Sequence, residues 1–282
     1  MHTQKKNEGP PTSEENRPVT QQELTLYYWP NDPNPYQTLL YENLDLNKRS
    51  GGIVRALVSQ TVGGKQVIFH LHWLYKIFNR RGRAWAFLVA PVFLALLAAF
   101  RLLGGKVFWT VHNLYEHENP KRGLERRFRR ILANHLCNQV LVHSASAIKA
   151  CQREYGISLA RVSITQHGSY LAMRDPVNTV PRPSATFKPA GTTRFLHLGR
   201  IRPYKNLDKL ALAIVRVGVE GSPVHLRIVG AAREGEYEFI KKLSLQHPDY
   251  LTVDSRPITD SEIEGEMGAA DWFVVWNRDF LT

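Results

Sequence analysis

Short apolar runs alternate with helix-like segments along nearly the whole chain, and this alternation constrains the fold more than any other feature. Runs such as VIFHLH and QVLVH are apolar, with little alternation between polar and apolar positions. Strands of this kind are typical of parallel sheets that helices cover on both faces. The pattern therefore predicts an α/β protein built on parallel sheets.

The alternation occurs in two series, which a proline-rich segment separates. This segment, DPVNTVPRPSATFKPAGTT, contains four prolines and no period. Since 282 residues suffice for two domains, we predict a disordered leader, two Rossmann-like doubly wound domains that face a cleft, and a linker. The boundaries of leader, first domain, linker and second domain are 1–23, 24–174, 175–192 and 193–282.

In the second domain, Asn206 is predicted to cap a helix, and Thr259 with Glu262 has the spacing of a capping box.

One apolar segment, AWAFLVAPVFLALLAAF, is a candidate membrane span. A helix of this length extends about 25 Å, whereas the hydrocarbon core of a bilayer is roughly 30 Å thick. The strand-like runs QVIFHLHW and KVFWTVHN flank it, as in a βαβ crossover. A membrane-crossing helix would separate these strands, so we predict a buried or membrane-surface helix with a kink at Pro91.

The chain is strongly basic, with 37 Lys and Arg against 25 Asp and Glu and a net charge of +12. Such a balance indicates an acidic partner, which is nucleic acid, anionic lipid or a phosphorylated substrate. Cys137 and Cys151 form neither a disulfide framework nor a zinc spacing, and no signal peptide is apparent at the N-terminus. We therefore expect a reduced, cytoplasmic compartment.

A cationic turn follows the first strand of the second series, in RFLHLGRIRPYKN. Gly199 allows close approach of the backbone, and Arg200, Arg202 and Lys205 come before the next helix. The turn has neither the phosphate-binding loop of NTPases nor G-x-G-x-x-G. An arginine fork, a lysine point charge and a helix N-terminus together suit a diphosphate. The alternative is an ordinary solvated basic turn.

These motifs resemble a known family. LGRIRPYKN is similar to the G-R-x-x-x-x-K-[GN] segment of retaining glycosyltransferases with the two-domain GT-B fold, and VFWTVHNLYEHE, HLHW, LVHS and QHGSY resemble segments of a bacterial polysaccharide-assembly subgroup. The resemblance extends from Leu24 to Thr282. It implies that Arg200 and Lys205 hold the diphosphate of the sugar donor, that His112 contacts the transferred sugar, and that neither a metal nor another cofactor is needed.

The resemblance implies further site residues. The donor-binding set consists of Gly199, Arg200, Arg202, Lys205, His167 and Gly168, and the acceptor-binding set of His72, Trp73 and His117. If the reaction inverts stereochemistry, a general base is needed, for which His117, Glu116 and Asp32 are candidates. The alternatives are structurally bonded histidines or a metal site of His70, His72, His112 and His117, although H-E-x-x-H is absent.

The segment KRGLERRFRR has six cations and one acid. Leu124, Phe128, Ile131 and Leu132 mark its buried stripe, so the arginines are expected mostly on the outer face. Beside the apolar helix, this surface favours binding to an anionic membrane, with a solvated charged face as the alternative. Nucleic acid is not expected, because the arginines lack interleaved aromatic residues.

The predicted function is transfer of a hexose from a nucleotide sugar to a lipid-linked saccharide at the inner face of the cell membrane, in cell-surface polysaccharide synthesis. Members of the family continue beyond the strand that precedes WNRDFLT. We therefore expect a truncated chain with an incomplete second domain. The rival hypotheses are a sugar-nucleotide epimerase and a catalytically incomplete protein that binds membrane or nucleic acid.

Overall fold

The computed structural model describes residues 24–32, 35–63, 66–78, 82–115, 122–168 and 191–275. Within these ranges the chain forms two compact units, one made of 24–112 with 122–168 and the other of 113–115 with 191–275. Each unit contains one parallel sheet, which confirms the α/β class. The predicted leader, most of the predicted linker and the segment WNRDFLT lie outside the described residues.

The first sheet has six parallel strands in the order β2-β1-β3-β4-β5-β6. These strands are β1 (Leu24–Trp29), β2 (Asn47–Ser50), β3 (Gln66–Leu71), β4 (Lys106–Thr110), β5 (Gln139–Val142) and β6 (Val162–Ile164). The order reverses at β1, because β2 pairs on one side of it and β3 on the other. Open α/β sheets bind ligands at the carboxyl ends of the strands at such a reversal.

Six α-helices belong to the described part of this unit. They are α1 (Pro35–Glu42), α2 (Ile53–Val62), α3 (Tyr75–Phe78), α4 (Gly82–Leu102), α5 (Arg122–Ile131) and α6 (Ala145–Tyr155), with a π-helical turn (Leu132–Leu136) after α5.

The two ends of α6 show how the sequence determines where a helix begins and ends. The Ser144 hydroxyl accepts a hydrogen bond from the Ala147 amide at 3.2 Å, and Gly156 ends the helix at φ 69°.

Helix α4 is the crossover between β3 and β4, which pair directly. By length and composition, Ala84–Leu102 could cross a membrane, and its mean hydropathy is 2.1. Because β3 and β4 are neighbours in one sheet, both ends of α4 return to the same side, and the predicted crossover is confirmed. One face of the helix is buried through Ala86, Ala90, Phe93, Leu97 and Phe100, and the opposite face is exposed.

Helix α5 differs from the prediction in one respect. Arg129 lies inside the unit rather than on the outer face, and only 3% of it is exposed. Its Nε and Nη2 both donate to Glu125 Oε1, at 2.8 and 2.5 Å, and its guanidinium carbon lies 5.5 Å from the centroid of the Trp109 ring. The paired carboxylate and the aromatic face compensate the buried charge. Ile131, predicted to be buried, is 44% exposed.

The second sheet has the order β10-β7-β8-β9 and reverses at β7. Its elements are β7 (Thr193–Leu198), α7 (Leu207–Val219), β8 (Val224–Val229), α8 (Glu238–Gln246), β9 (Leu251–Asp254), α9 (Asp260–Gly268) and β10 (Trp272–Phe273). The predicted capping box at α9 is present. Asn206 precedes α7 at φ 49°, but its side chain donates to the Tyr204 carbonyl instead of capping the helix.

A buried ion pair ties α9 to the second sheet. Arg227 of β8 donates through Nε and Nη2 to the two carboxylate oxygens of Glu266, at 2.6 and 2.5 Å, and both residues are less than 10% exposed. We predict that Glu266→Ala lowers the free energy of unfolding of this unit by about 3 kcal/mol, because it leaves the guanidinium buried beside the more distant Asp254. Native-state hydrogen exchange of the β8 amides measures the loss.

The matched control is Glu220→Ala, which breaks the exposed pair between Arg216 and Glu220. An exposed pair contributes less than about 1 kcal/mol. Equal losses in the two variants would contradict a special role for the buried pair.

Candidate functional site

Five histidines of the first unit lie together at the carboxyl edge of its sheet. His70 belongs to β3, and His72, His112, His143 and His167 follow β3, β4, β5 and β6. With Tyr36, Tyr41 and Trp73 they form what we call the histidine cluster, in which neighbouring ring centroids are 4.3–6.2 Å apart. Parallel pairing explains the assembly, since it brings the ends of all these strands to one edge.

A continuous chain of hydrogen bonds runs through the buried part of this cluster. Its members are Thr110, His70, Tyr41, His72 and His112. His70 Nε2 lies 2.9 Å from the Thr110 hydroxyl, and Tyr41 Oη lies 2.7 Å from His70 Nδ1 and 2.5 Å from His72 Nε2. His72 Nδ1 is 3.3 Å from His112 Nε2. The chain fixes the orientation of the His112 ring, which also stacks on Trp73 with centroids 4.6 Å apart.

Burial keeps these imidazoles neutral. Removal from water lowers the pKa of His70 to about 3, and removal from water together with the neighbouring histidines lowers that of His112 to about 3. The pKa of His72 is lowered for the same reasons, and burial raises that of Tyr41. At neutral pH this edge of the sheet therefore presents uncharged imidazoles and aromatic faces.

The predicted cationic turn lies at the carboxyl end of β7, where the second sheet reverses. Gly199 has φ 115°, a conformation that favours glycine, and its amide donates to the Val229 carbonyl at 3.0 Å. A Cβ at Gly230 would lie 2.2 Å from the Gly199 carbonyl oxygen. Two glycines thus allow the ends of β7 and β8 to approach closely, beside the N-terminus of α7.

The three cations of this turn have different surroundings. Arg202 donates to Glu236 at 2.8 Å, so a carboxylate already pairs with its charge, and its role in donor binding stays a prediction. Within the described residues, the side chains of Arg200 and Lys205 form no ion pair. Lys205 Nζ lies 3.3 Å from where a Cβ of Gly199 would be. Burial, together with Arg202 and Arg200, lowers the pKa of Lys205.

Sequence reasoning did not name His197, which precedes the turn on β7. It is 1% exposed, and its Nδ1 lies 3.0 Å from the Val274 carbonyl oxygen. Burial, with a contribution from Lys205, lowers its pKa to about 4. His197 lies two residues before Gly199, and this position in the sequence could have identified it as a residue close to the cationic turn.

The other predicted residues have separate outcomes. His72 is 2% exposed, and both its ring nitrogens are hydrogen-bonded, one of them to His112. Its role as an acceptor contact stays a prediction. Trp73 is half-buried, and His167 and Gly168 are exposed. His117 and Glu116 lie outside the described residues.

The remaining candidate base, Asp32, accepts a hydrogen bond from the Tyr75 hydroxyl at 2.9 Å. It also lines a pocket of about 230 Å³ together with Tyr28, Gln37 and Tyr41. Within the described ranges, no group of three or more His, Cys, Asp or Glu residues is arranged to hold a metal ion.

Comparison with known proteins gives one curated relative for this chain. No family profile matches the chain. A GDP-mannose:glycolipid 4-beta-D-mannosyltransferase of Xanthomonas campestris pv. campestris is 29% identical over 203 residues, which are 70% of this chain and 50% of the relative. The chain therefore spans about half the length of the curated relative that it matches.

Solved structures show the fold. HepE of Anabaena in complex with UDP superposes with a TM-score of 0.55 at 14% identity, over 89% of this chain and 72% of HepE. Trehalose 6-phosphate synthase of Burkholderia multivorans gives 0.53 at 8% identity, over 90% of this chain and 76% of the synthase. With two parallel-sheet units, a curated glycosyltransferase relative and these structural neighbours, the chain has the GT-B fold of the glycosyltransferases.

Proposed function

We propose that the chain transfers a hexose from a nucleotide-diphosphate sugar to a lipid-linked saccharide acceptor in cell-surface polysaccharide synthesis. The observation that carries this proposal is the pair of cations beside Gly199 at the sheet reversal, Arg200 and Lys205, which form no ion pair with any residue that the structure describes. The proposal is also supported by the name of the curated relative, which specifies GDP-mannose and a glycolipid, and by HepE structures solved with UDP and with UDP-glucose.

The proposed chemistry follows from charge. Cleavage of the bond between the sugar and the diphosphate leaves negative charge on the departing nucleoside diphosphate. Arg200 and Lys205 would stabilise this charge more strongly in the transition state than in the ground state. In the first unit, His112 would hydrogen-bond to the transferred sugar as a neutral group, because its pKa is about 3. We propose that the reaction needs no metal ion.

We predict that Arg200→Ala/Lys205→Ala weakens the binding of UDP and GDP to the full chain at least tenfold. Each charge-assisted hydrogen bond contributes about 1.5–3 kcal/mol. Because an anion favours the ammonium form, the affinity of the wild type should fall as the pH rises through the pKa of Lys205, and the variant should lose this dependence. Calorimetry at several pH values measures both effects.

The control is Arg216→Ala, which removes an exposed, already paired cation from α7 of the same unit. Its affinity for UDP and GDP should equal that of the wild type. Unchanged affinity in the double variant, or an equal loss in the control, would contradict the proposed diphosphate site.

We also propose that the first unit binds the cytoplasmic face of a membrane that contains anionic lipid. The packed helices α2 and α4 expose large apolar side chains, which are Val54, Val58 and Val62 on α2 and Phe87, Leu88, Val92 and Leu102 on α4. Each is more than half exposed. Arg127 and Arg130 are exposed on α5, which packs against α4. Apolar side chains beside cations suit the interface of an anionic bilayer.

We predict that Leu88→Glu/Val92→Glu abolishes flotation of the full chain with vesicles of phosphatidylglycerol and phosphatidylcholine. Carboxylates at these positions would oppose both insertion and attraction to the anionic surface. Leu245→Glu is the control, because Leu245 is an apolar residue of the second unit that is even more exposed than Leu88 and Val92. Flotation that survives in the double variant, or is lost equally in the control, would contradict this docking face.

A further inference from the structure

His143, in the motif LVHS at the end of β5, has a fixed pattern of hydrogen bonding that the proposed function does not yet use. Its Nδ1 lies 2.8 Å from the carbonyl oxygen of Thr165. A carbonyl oxygen only accepts hydrogen bonds, so Nδ1 must carry a hydrogen. Burial, with His167 as a further contributor, lowers the pKa of His143, which keeps the ring neutral. The other nitrogen, Nε2, is therefore a bare acceptor.

This acceptor is buried, and within the described part of the chain it has no hydrogen-bond partner. Buried polar atoms of folded proteins are almost always paired, so this nitrogen needs a partner from outside the described chain, either a water molecule or a ligand group. Its neighbours belong to the histidine cluster. The ring centroid of His143 lies 5.2 Å from that of His112, 5.3 Å from that of His167 and 5.5 Å from that of Tyr36.

We propose that His143 Nε2 accepts a hydrogen bond from a hydroxyl group of a saccharide bound at the histidine cluster. This inference rests on the proposed function and adds a specificity-determining residue to it. The geometry selects the ligand atom, because a bare nitrogen accepts from O–H or N–H and repels phosphate and carboxylate oxygens. Aromatic rings on several sides favour the apolar face of a sugar over a free ion. A sugar that lacks this hydroxyl would leave the nitrogen buried and unpaired.

The test uses the full chain with ¹⁵N-labelled histidine, observed by long-range ¹H–¹⁵N correlation. We expect His143 to be protonated at Nδ1 and bare at Nε2 in the free protein. UDP-glucose, GDP-mannose, methyl glucoside and methyl mannoside are added separately, with UDP and GDP as probes that lack the hexose. At least one saccharide should shift the Nε2 resonance in the direction of hydrogen-bond acceptance, and UDP or GDP should not. A response to a methyl glycoside indicates the acceptor sugar, and one to a nucleotide sugar alone indicates the transferred sugar.

A variant gives an independent measurement. His143→Phe keeps an aromatic ring but removes the acceptor, so it should bind the responding saccharide about tenfold more weakly and bind UDP or GDP as the wild type does, in keeping with the loss of one hydrogen bond. His135→Phe, at an exposed histidine of the same unit, is the control and should change neither affinity.

The outcomes separate this inference from the function on which it rests. A proton on Nε2 in the free protein overturns the inference. So does binding of UDP or GDP without any response of His143 to a saccharide, and in that case the diphosphate site stands. An equal response to UDP and UDP-glucose also overturns it. If neither nucleotides nor saccharides bind, both the inference and the proposed function fail.

Discussion

Parallel strand pairing is the constraint on which the rest of the structure depends. Because every strand of a unit runs in the same direction, the residues that follow each strand meet at one edge. In the first unit, five histidines from the ends of four strands lie at this edge. In the second unit, the turn after β7 lies at the corresponding edge. Residues as distant in sequence as Tyr41 and His112 are linked through His72 only because β3 and β4 are neighbours.

The two edges differ in charge because their ionisable side chains respond differently to burial. At the first edge, burial removes imidazoles from water and lowers their pKa, so the groups become neutral donors and acceptors. At the second edge, arginine retains its charge in any surroundings, and Lys205 remains only partly buried. The first edge therefore suits hydroxyl groups, and the second suits phosphates.

The sequence predicted the parts of the fold that depend on apolar burial. The strands VIFHLH, QVLV and HLRIV were predictable because covered parallel strands need continuous apolar residues. By contrast, β2 has the sequence NKRS, and it pairs at the edge of the sheet through its backbone, so no side-chain pattern marks it. Arg129 was misplaced because helical periodicity treats an arginine as solvated, whereas Glu125 and Trp109 allow its burial.

The cationic turn was predictable from sequence because a glycine and three cations follow a strand directly, but the division of labour among the cations was not. It depends on Glu236, which is 34 residues from Arg202 and, among the three cations of the turn, pairs with Arg202. A crystal structure of the chain soaked with UDP tests the central claim most directly. The account predicts diphosphate density within hydrogen-bonding distance of Arg200 and Lys205, beside the backbone of Gly199. Density for UDP elsewhere, with none beside these two side chains, would contradict it.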